Sequence, residues 1–361
     1  MKVIVSAGGT GGHIYPALAI IDMLKKEYKD LDILYIGTHN RMEKDIIPKM
    51  GIKYETLKIY GVSKRIYLNL KNCFLINEAF HKCHKIIKEF KPDLVIGAGG
   101  YVTYPVIKTA QRMGIKTFIH EQNSFSGKTN VALGKKATLV GVSFENSVKD
   151  YKKCKGKVFI MGNPCGKRAL DIKPIKKSDI GFKDNKPLVV AVAGSLGSVT
   201  INKSFKEVLT SLNDKNYQFL YITGQKYYDE FIKGLTLPDN VKVVPYFENL
   251  SGLLKNTDAL ISRSGASTMS EVIALKVPTI FIPSPYVANN HQYYNAIDLV
   301  NKKAALMIEE KDFSKDLLLS KIDELLNNSK EIKNNLESIS VVDSEKVFIS
   351  EIKGIFKWKM N

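Results

Sequence analysis

Short apolar runs and helical periods alternate along the first half of the chain. Residues 2–7 (KVIVSA) form a β-branched run, apolar side chains then recur at Ile14, Ala17, Leu18, Ile21 and Leu24 on one helix face, and residues 32–37 (DILYIG) return to a strand pattern. The series continues with DLVIGAGG at 93–100, KTFIHEQN at 116–123 and ATLVGVS at 137–143. Strands that alternate with helices predict a parallel, doubly wound sheet. A Lys-rich polar stretch near residues 163–186, marked by Pro164, Pro174 and then Pro187, breaks the pattern and reads as a linker with room for a short helix. Alternation then restarts in PLVVAVAGS, NYQFLYITG, VKVVPYF, DALISRSG and PTIFIPSP, between residues 187 and 285. Toward the C-terminus Val347, Phe348, Ile349, Ile352, Ile355 and Phe356 suit one amphipathic helix. The expected division is 1–163, 164–341 and a final segment 342–361.

Length supports two α/β domains, because 361 residues exceed what one hydrophobic core usually serves. No apolar run approaches the ~18–20 residues that span a bilayer, and the N-terminal MKVIVSAGG runs from a strand into glycines, so a cytoplasmic protein is expected. Cys73, Cys83, Cys154 and Cys165 are irregularly spaced, as reduced thiols are. His81, Cys83 and His84 share a helical stretch without a second ligand pair at zinc-like spacing, and no metal or other cofactor is expected. The net charge is +18, and residues 1–170 carry most of it, with 29 Lys and Arg against 13 Asp and Glu. A basic first half implies an anionic partner, either nucleic acid or a membrane surface.

Glycine-rich turns follow several of the strands. GGTGGHIYPALAI places Gly8, Gly9, Gly11 and Gly12 directly after the first strand, where the backbone can approach a ligand and the next helix offers unpaired N–H groups. It lacks the dinucleotide pattern G-x-G-x-x-G, since position 14 is Ile14. GAGGYVTYP at 97–105 and HEQNS at 120–124 add two more polar loops at strand ends, the edge where open α/β sheets bind ligands. In the second half AGSLGS at 193–198 and SRSGASTMSE at 262–271 repeat the theme. A turn of the latter kind suits a diphosphate, and Glu271 suits ribose hydroxyls, although an N-capped helix with a surface glutamate has the same pattern. PSPYVANNHQYYNA at 283–296 adds His291, Gln292 and Asn295, amides and an imidazole fit for sugar hydroxyls.

The ordered set GGTGGHIYPALA, GGYVTYP, HEQNS, GNP, GSLGS, SRSGASTMSE and HQYYNA resembles the MurG family of peptidoglycan GlcNAc-transferases, from Lys2 to about Asn295. The resemblance implies a GT-B glycosyltransferase fold of two Rossmann-like domains facing a cleft, with the C-terminal helix returning to the N-terminal domain. It implies inverting transfer of GlcNAc from UDP-GlcNAc to the MurNAc 4-hydroxyl of lipid I, forming lipid II. Carried over by motif, Thr10, Gly11, Gly12 and Asn123 contact the donor from the N-terminal side, and Ser195 binds a donor phosphate. Phe247 stands where a backbone group reads uracil. Ala266, Ser267, Thr268, Met269, Ser270 and Glu271 hold diphosphate and ribose, and Gln292 and Asn295 bind GlcNAc hydroxyls. The chain departs from the family at three places. Gly166 stands where an arginine is common and is followed by Lys167 and Arg168, His291 replaces a glutamine, and Tyr104 replaces a small residue.

Inverting transfer needs a base for the acceptor hydroxyl and a counter to the departing diphosphate. His13 has the ordinary pKa range for the base, and Glu121 competes with it. No D-x-D triad appears where a donor-bound cation would need it, so helix N-termini and hydroxyls are expected to stabilise UDP. A lipid-linked acceptor also requires the membrane surface. Residues 64–90 carry an apolar stripe with Phe74, Phe80 and Ile87, edged by Lys82, Lys85 and Lys88. That pattern fits an interfacial helix, or equally a helix packed on the sheet. The expected location is peripheral, on the cytoplasmic face of the membrane. Rival readings are a GT-B glycolipid synthase using another UDP-sugar and a basic nucleotide- or nucleic-acid-binding protein without transferase activity. No nucleic-acid module is recognisable, and neither half carries the full dehydrogenase fingerprint.

Overall fold

The computed structural model describes residues 1–61, 66–192, 199–287 and 290–356, with backbone alone at 66–73 and 199. It divides into two compact units, Met1–Pro164 with Val342–Asn361 and Cys165–Val341.

The first unit holds a seven-stranded parallel sheet in the order β3-β2-β1-β4-β5-β6-β7, built from Lys2–Ser6 (β1), Asp32–Thr38 (β2), Lys53–Leu57 (β3), Leu94–Gly97 (β4), Lys116–Glu121 (β5), Leu139–Val142 (β6) and Lys157–Ile160 (β7). Its strands read as continuous apolar runs because both faces are covered. Val3, Val5, Ile33, Tyr35, Leu94 and Ile96 enter one core, with the helices Gly11–Glu27 and Ser344–Phe356. The alternate residues Ile4, Leu34, Ile36 and Val95 enter the other core, with the helices Ile66–Phe90 and Thr103–Arg112. In the C-terminal helix Phe348 is fully buried, its ring 5.0 Å from that of Phe118. Burial of such a ring stabilises by roughly 1.5–3 kcal/mol. On the same helix Glu351 pairs with Lys157 of β7 at 2.6 Å, and Lys353 pairs with Glu27.

The second unit repeats the plan with a six-stranded parallel sheet ordered β10-β9-β8-β11-β12-β13. Its strands are Leu188–Val192 (β8), Gln218–Ile222 (β9), Val241–Val244 (β10), Ala259–Ser262 (β11), Thr279–Phe281 (β12) and Leu306–Met307 (β13). In both sheets the order reverses beside the first strand, β1 or β8, and in folds of this kind ligands bind at the C-terminal strand ends near that reversal. The stretch read as a linker contains the helix Pro164–Asp171 and a short turn of 3-10 helix at Ser178–Ile180.

Candidate functional site

At the reversal in the first sheet the loops after β1 and β4 touch. Gly8 N–H donates to Gly99 O at 3.3 Å. Gly99 and Gly100 have φ of +101° and +90°, and a side chain at Gly100 would place its Cβ 2.3 Å from Gly8 O. Only glycine tolerates both constraints. A Cβ at Gly99 would lie 2.6 Å from His13 Cδ2 and 3.3 Å from Gln122 Nε2. The loops after β1, β4 and β5 therefore converge on Gly99. Thr10 precedes the helix Gly11–Glu27, and its carbonyl accepts from His13 and Ile14 at 3.1 and 3.2 Å. The N–H groups of Gly11 and Gly12 come before those bonds and have no intrahelical acceptor.

His13 lies with Nδ1 3.1 Å from Gly8 O. A carbonyl only accepts, so Nδ1 carries the proton and Nε2 the lone pair. Burial lowers the pKa of this imidazole, opposed by the Gly8 hydrogen bond and by the negative charge of Glu43. The neutral, proton-accepting form is thereby favoured.

The structure reshapes the expectation for HEQNS. The strand β5 runs through Glu121, and His120, Glu121 and Gln122 are all buried, so the polar side chains of the motif do not project together from the loop. His120 Nε2 lies 3.3 Å from both Gly162 O and Ser143 Oγ, and burial pulls its pKa down to about 4. Glu121 Oε1 accepts from Asn123 N–H at 3.0 Å and Asn123 Nδ2 at 3.3 Å. Its Oε2 accepts from Gly127 N–H and Asn130 Nδ2, both at 2.9 Å, and from the Tyr151 hydroxyl at 3.4 Å. Asn123 is half-buried, with its carbonyl held by Ser147 Oγ at 2.8 Å.

In the second unit Gly265 precedes the helix Ala266–Leu275, whose first N–H groups, at Ala266, Ser267 and Thr268, have no intrahelical acceptor. Ser264 Oγ donates to Gln292 O at 2.7 Å, and Asn295 Nδ2 donates to Ser264 O at 3.0 Å. Gln292 Oε1 accepts from Ser284 N–H at 2.9 Å. These bonds bring Ser264, Gln292 and Asn295 together and already engage one group of each amide. Met269 is buried in the second core, so its side chain faces away from solvent. Ser270 Oγ donates back to Ser267 O. Glu271 accepts from Ser251 Oγ at 3.2 Å, and burial lifts its pKa to about 7. Phe247, after β10, packs half-buried on the core. Ser195 and the rest of AGSLGS lie outside the described residues.

Gly166 has a steric account. A Cβ there would sit 2.8 Å from Ser270 O and 3.3 Å from Ala274 Cβ, so the helix Pro164–Asp171 lies too close to Ala266–Leu275 for a larger residue. Lys167 pairs with Asp171 at 3.5 Å, whereas the Arg168 charge acts on Glu271. Cys83 lies on the buried face of the helix Ile66–Phe90, its thiol pushed up to about 12 by burial, while His81 and His84 are exposed. That helix buries Ala79, Cys83 and Ile87 on the sheet and leaves Phe74 81% exposed. Phe80 meets the Tyr104 ring edge-on. Lys82 is bound to Glu55 at 3.1 Å and to Thr56 O at 2.9 Å, and Lys85 lies 4.0 Å from Glu89. The apolar residues before Phe74 fall where side chains are not described.

Glu43 has no part in the motifs, yet it is fully buried behind the first glycine loop. The sequence signal for it is faint, one acidic residue in RMEK shortly after a strand.

Two parallel sheets of matching order, each with small-residue loops at its reversal, have the architecture of a GT-B glycosyltransferase fold. Residues 3–142 match the Glycosyltransferase family 28 N-terminal domain and residues 188–350 the family 28 C-terminal domain. The chain is 40% identical over 351 residues to the UDP-N-acetylglucosamine--N-acetylmuramyl-(pentapeptide) pyrophosphoryl-undecaprenol N-acetylglucosamine transferase of Leuconostoc mesenteroides, covering 95% of this chain and 96% of that one. It belongs to that family of transferases, the MurG family. The crystal structure of Acinetobacter baumannii MurG is similar, with a TM-score of 0.70 at 25% identity over 98% of this chain and 99% of that one. UDP-GlcNAc 2-epimerase from Methanocaldococcus jannaschii shares the fold alone, at 14% identity and a TM-score of 0.66 over 98% and 99% of the two chains.

Proposed function

We propose that the chain transfers GlcNAc, with inversion, from UDP-GlcNAc to the MurNAc 4-hydroxyl of lipid I, forming lipid II and UDP. The main support is 40% identity, over 95% of the chain, to a transferase named for that donor and acceptor. In this reading His13 Nε2 takes the proton of the acceptor hydroxyl as its oxygen attacks C1 of GlcNAc. The C1–O bond to the diphosphate breaks and its electron pair leaves with UDP. Thr10, Gly11, Gly12 and Asn123 contact the donor, and Glu121 holds the loop that carries Asn123. The N–H groups at Ala266–Thr268 meet the diphosphate, Ser195 a donor phosphate, and the backbone at Phe247 the uracil. Glu271 accepts from the ribose, and Gln292 and Asn295 bind the sugar. A panel of UDP-GlcNAc, UDP-GalNAc and UDP-glucose against a lipid I analogue tests the assignment. The expected result is transfer from UDP-GlcNAc with one UDP released per product. Preference for another sugar would favour a different glycolipid synthase, and absence of transfer from all three would sink the enzymatic reading.

The location that follows is peripheral, on the cytoplasmic face of an anionic membrane. No helix among the described residues is long and apolar enough to cross a bilayer. Support for surface contact comes from exposed Phe74 beside the lysines of the helix Ile66–Phe90. Because Lys82 is engaged by Glu55, the test belongs to its neighbours: Phe74→Ser with Lys85→Glu and Lys88→Glu should lose co-sedimentation with anionic vesicles. Unchanged sedimentation would remove this helix from the contact.

A further inference from the structure

Glu43 opens the short helix Glu43–Lys49 beyond β2, and its side chain turns inward. Its Oε1 accepts from Thr38 N–H at 3.0 Å and Thr38 Oγ1 at 2.6 Å, and its Oε2 accepts from Gly9 N–H at 3.3 Å. Oε1 also packs so tightly on Gly8 that a Cβ there would lie 2.4 Å away. The carboxylate thus joins the end of β2 to the residue whose carbonyl orients the His13 ring. Burying a carboxylate is costly unless its lone pairs are filled, and no cation among the described residues pairs with Glu43. Three donors fill it instead, one of them from the loop itself.

We propose that Glu43 is a positioning residue for the transfer step, a buried carboxylate that fixes the first glycine loop and so sets where the His13 imidazole stands. The proposal rests on His13 being the base. When His13 takes the acceptor proton an imidazolium forms, and Glu43 is the charged group that acts on it. Its negative charge raises the His13 pKa against the larger lowering by burial. The other titratable groups facing Glu43 are Tyr35 from β2 and Tyr54 from β3, both pushed up by burial and by that charge, so they stay neutral.

The test is Glu43→Gln in the full chain. Glutamine keeps the shape but offers one acceptor oxygen and an N–H₂ group, so either Gly9 or Thr38 faces a donor where it had an acceptor. The expected result is a loss of kcat of about 10–100-fold, as for a base displaced by a fraction of an ångström, with the KM for UDP-GlcNAc within about threefold. The acid limb of the kcat–pH profile should move to lower pH, since the charge that raises His13 is gone. Glu43→Asp retains the charge and shortens the reach. It should lower kcat and leave the acid limb in place, which keeps the test available where the glutamine variant does not fold. His13→Gln, measured alongside, separates the two readings. Normal turnover in that variant removes His13 as the base. If His13→Gln is inactive while folded Glu43→Gln keeps the parent kcat and acid limb, Glu43 is structural only and the proposal falls.

Discussion

Glu121 in the first unit is a buried carboxylate and Glu271 in the second a half-buried one, and burial raises the pKa of each. Their surroundings differ. Glu121 receives five donors from its own loop and from neighbouring Asn130 and Tyr151. Glu271 receives one among the described residues, the hydroxyl of Ser251. A carboxylate has about four lone-pair sites, so Glu121 is full and Glu271 has room for a ligand's hydroxyls. The contrast marks Glu121 as a residue that shapes a loop and leaves Glu271 open to the donor contact proposed for it, although the sequence presents both as acidic residues in a motif.

The largest effect expected from this contrast is on stability. Glu121→Ala leaves several buried or half-buried donors without an acceptor, at ~1–3 kcal/mol each, and a total loss of about 3 kcal/mol or more is expected. Urea unfolding would show it as a lower midpoint at unchanged slope. If Glu121→Ala keeps the parent midpoint and loses turnover, Glu121 is a reacting group and the comparison breaks.

Much of this architecture was legible in the pattern of the chain. The apolar runs locate the strands because a parallel sheet covered on both faces needs apolar residues at consecutive positions, as in Val3, Ile4 and Val5. The glycine motifs mark real close approaches, Gly100 against Gly8 among them. Less legible was which polar residue faces a ligand. HEQNS reads as a set of polar side chains at a strand end, whereas the strand continues two residues into it and buries His120 and Glu121. Alternation within so short a segment does not fix where a strand stops. Glu43 escaped because its importance comes from Gly8 and Gly9, some 34 residues away in sequence, and no local pattern encodes that contact. Gly166 could be noticed as a departure, but its reason, the backbone of Ser270, is tertiary.

On the Glu271 side the expected effects are smaller and fall on the donor. Glu271→Gln retains one acceptor and the Ser251 contact, so at pH 5, where the parent carboxyl is protonated in the folded state, its unfolding free energy should stay within ~1 kcal/mol of the parent. The KM for UDP-GlcNAc should rise about tenfold, which corresponds to ~1.4 kcal/mol of lost binding. The pH dependence sharpens the same point. With a pKa of about 7, Glu271 is mostly protonated at pH 6 and mostly ionised at pH 8. Vicinal ribose hydroxyls donate, so they bind the ionised form, and the diphosphate of a UDP-sugar has no proton to lose in this interval. Donor affinity should therefore rise with pH, by up to about tenfold between pH 6 and 8, and then level off. Stability should respond in the opposite sense. The unfolded chain releases this proton near 4.5 and the folded chain near 7, so at this group the folded state binds more protons in that window and the Glu271 contribution to stability falls as pH rises through it, opposite in sign to that of His120. Glu271→Gln should abolish the slope in donor affinity and remove this one contribution from the stability profile. A donor KM that is flat from pH 6 to 8 in the parent protein would show that Glu271 does not meet the ribose, and the distinction between the two carboxylates would then rest on packing alone.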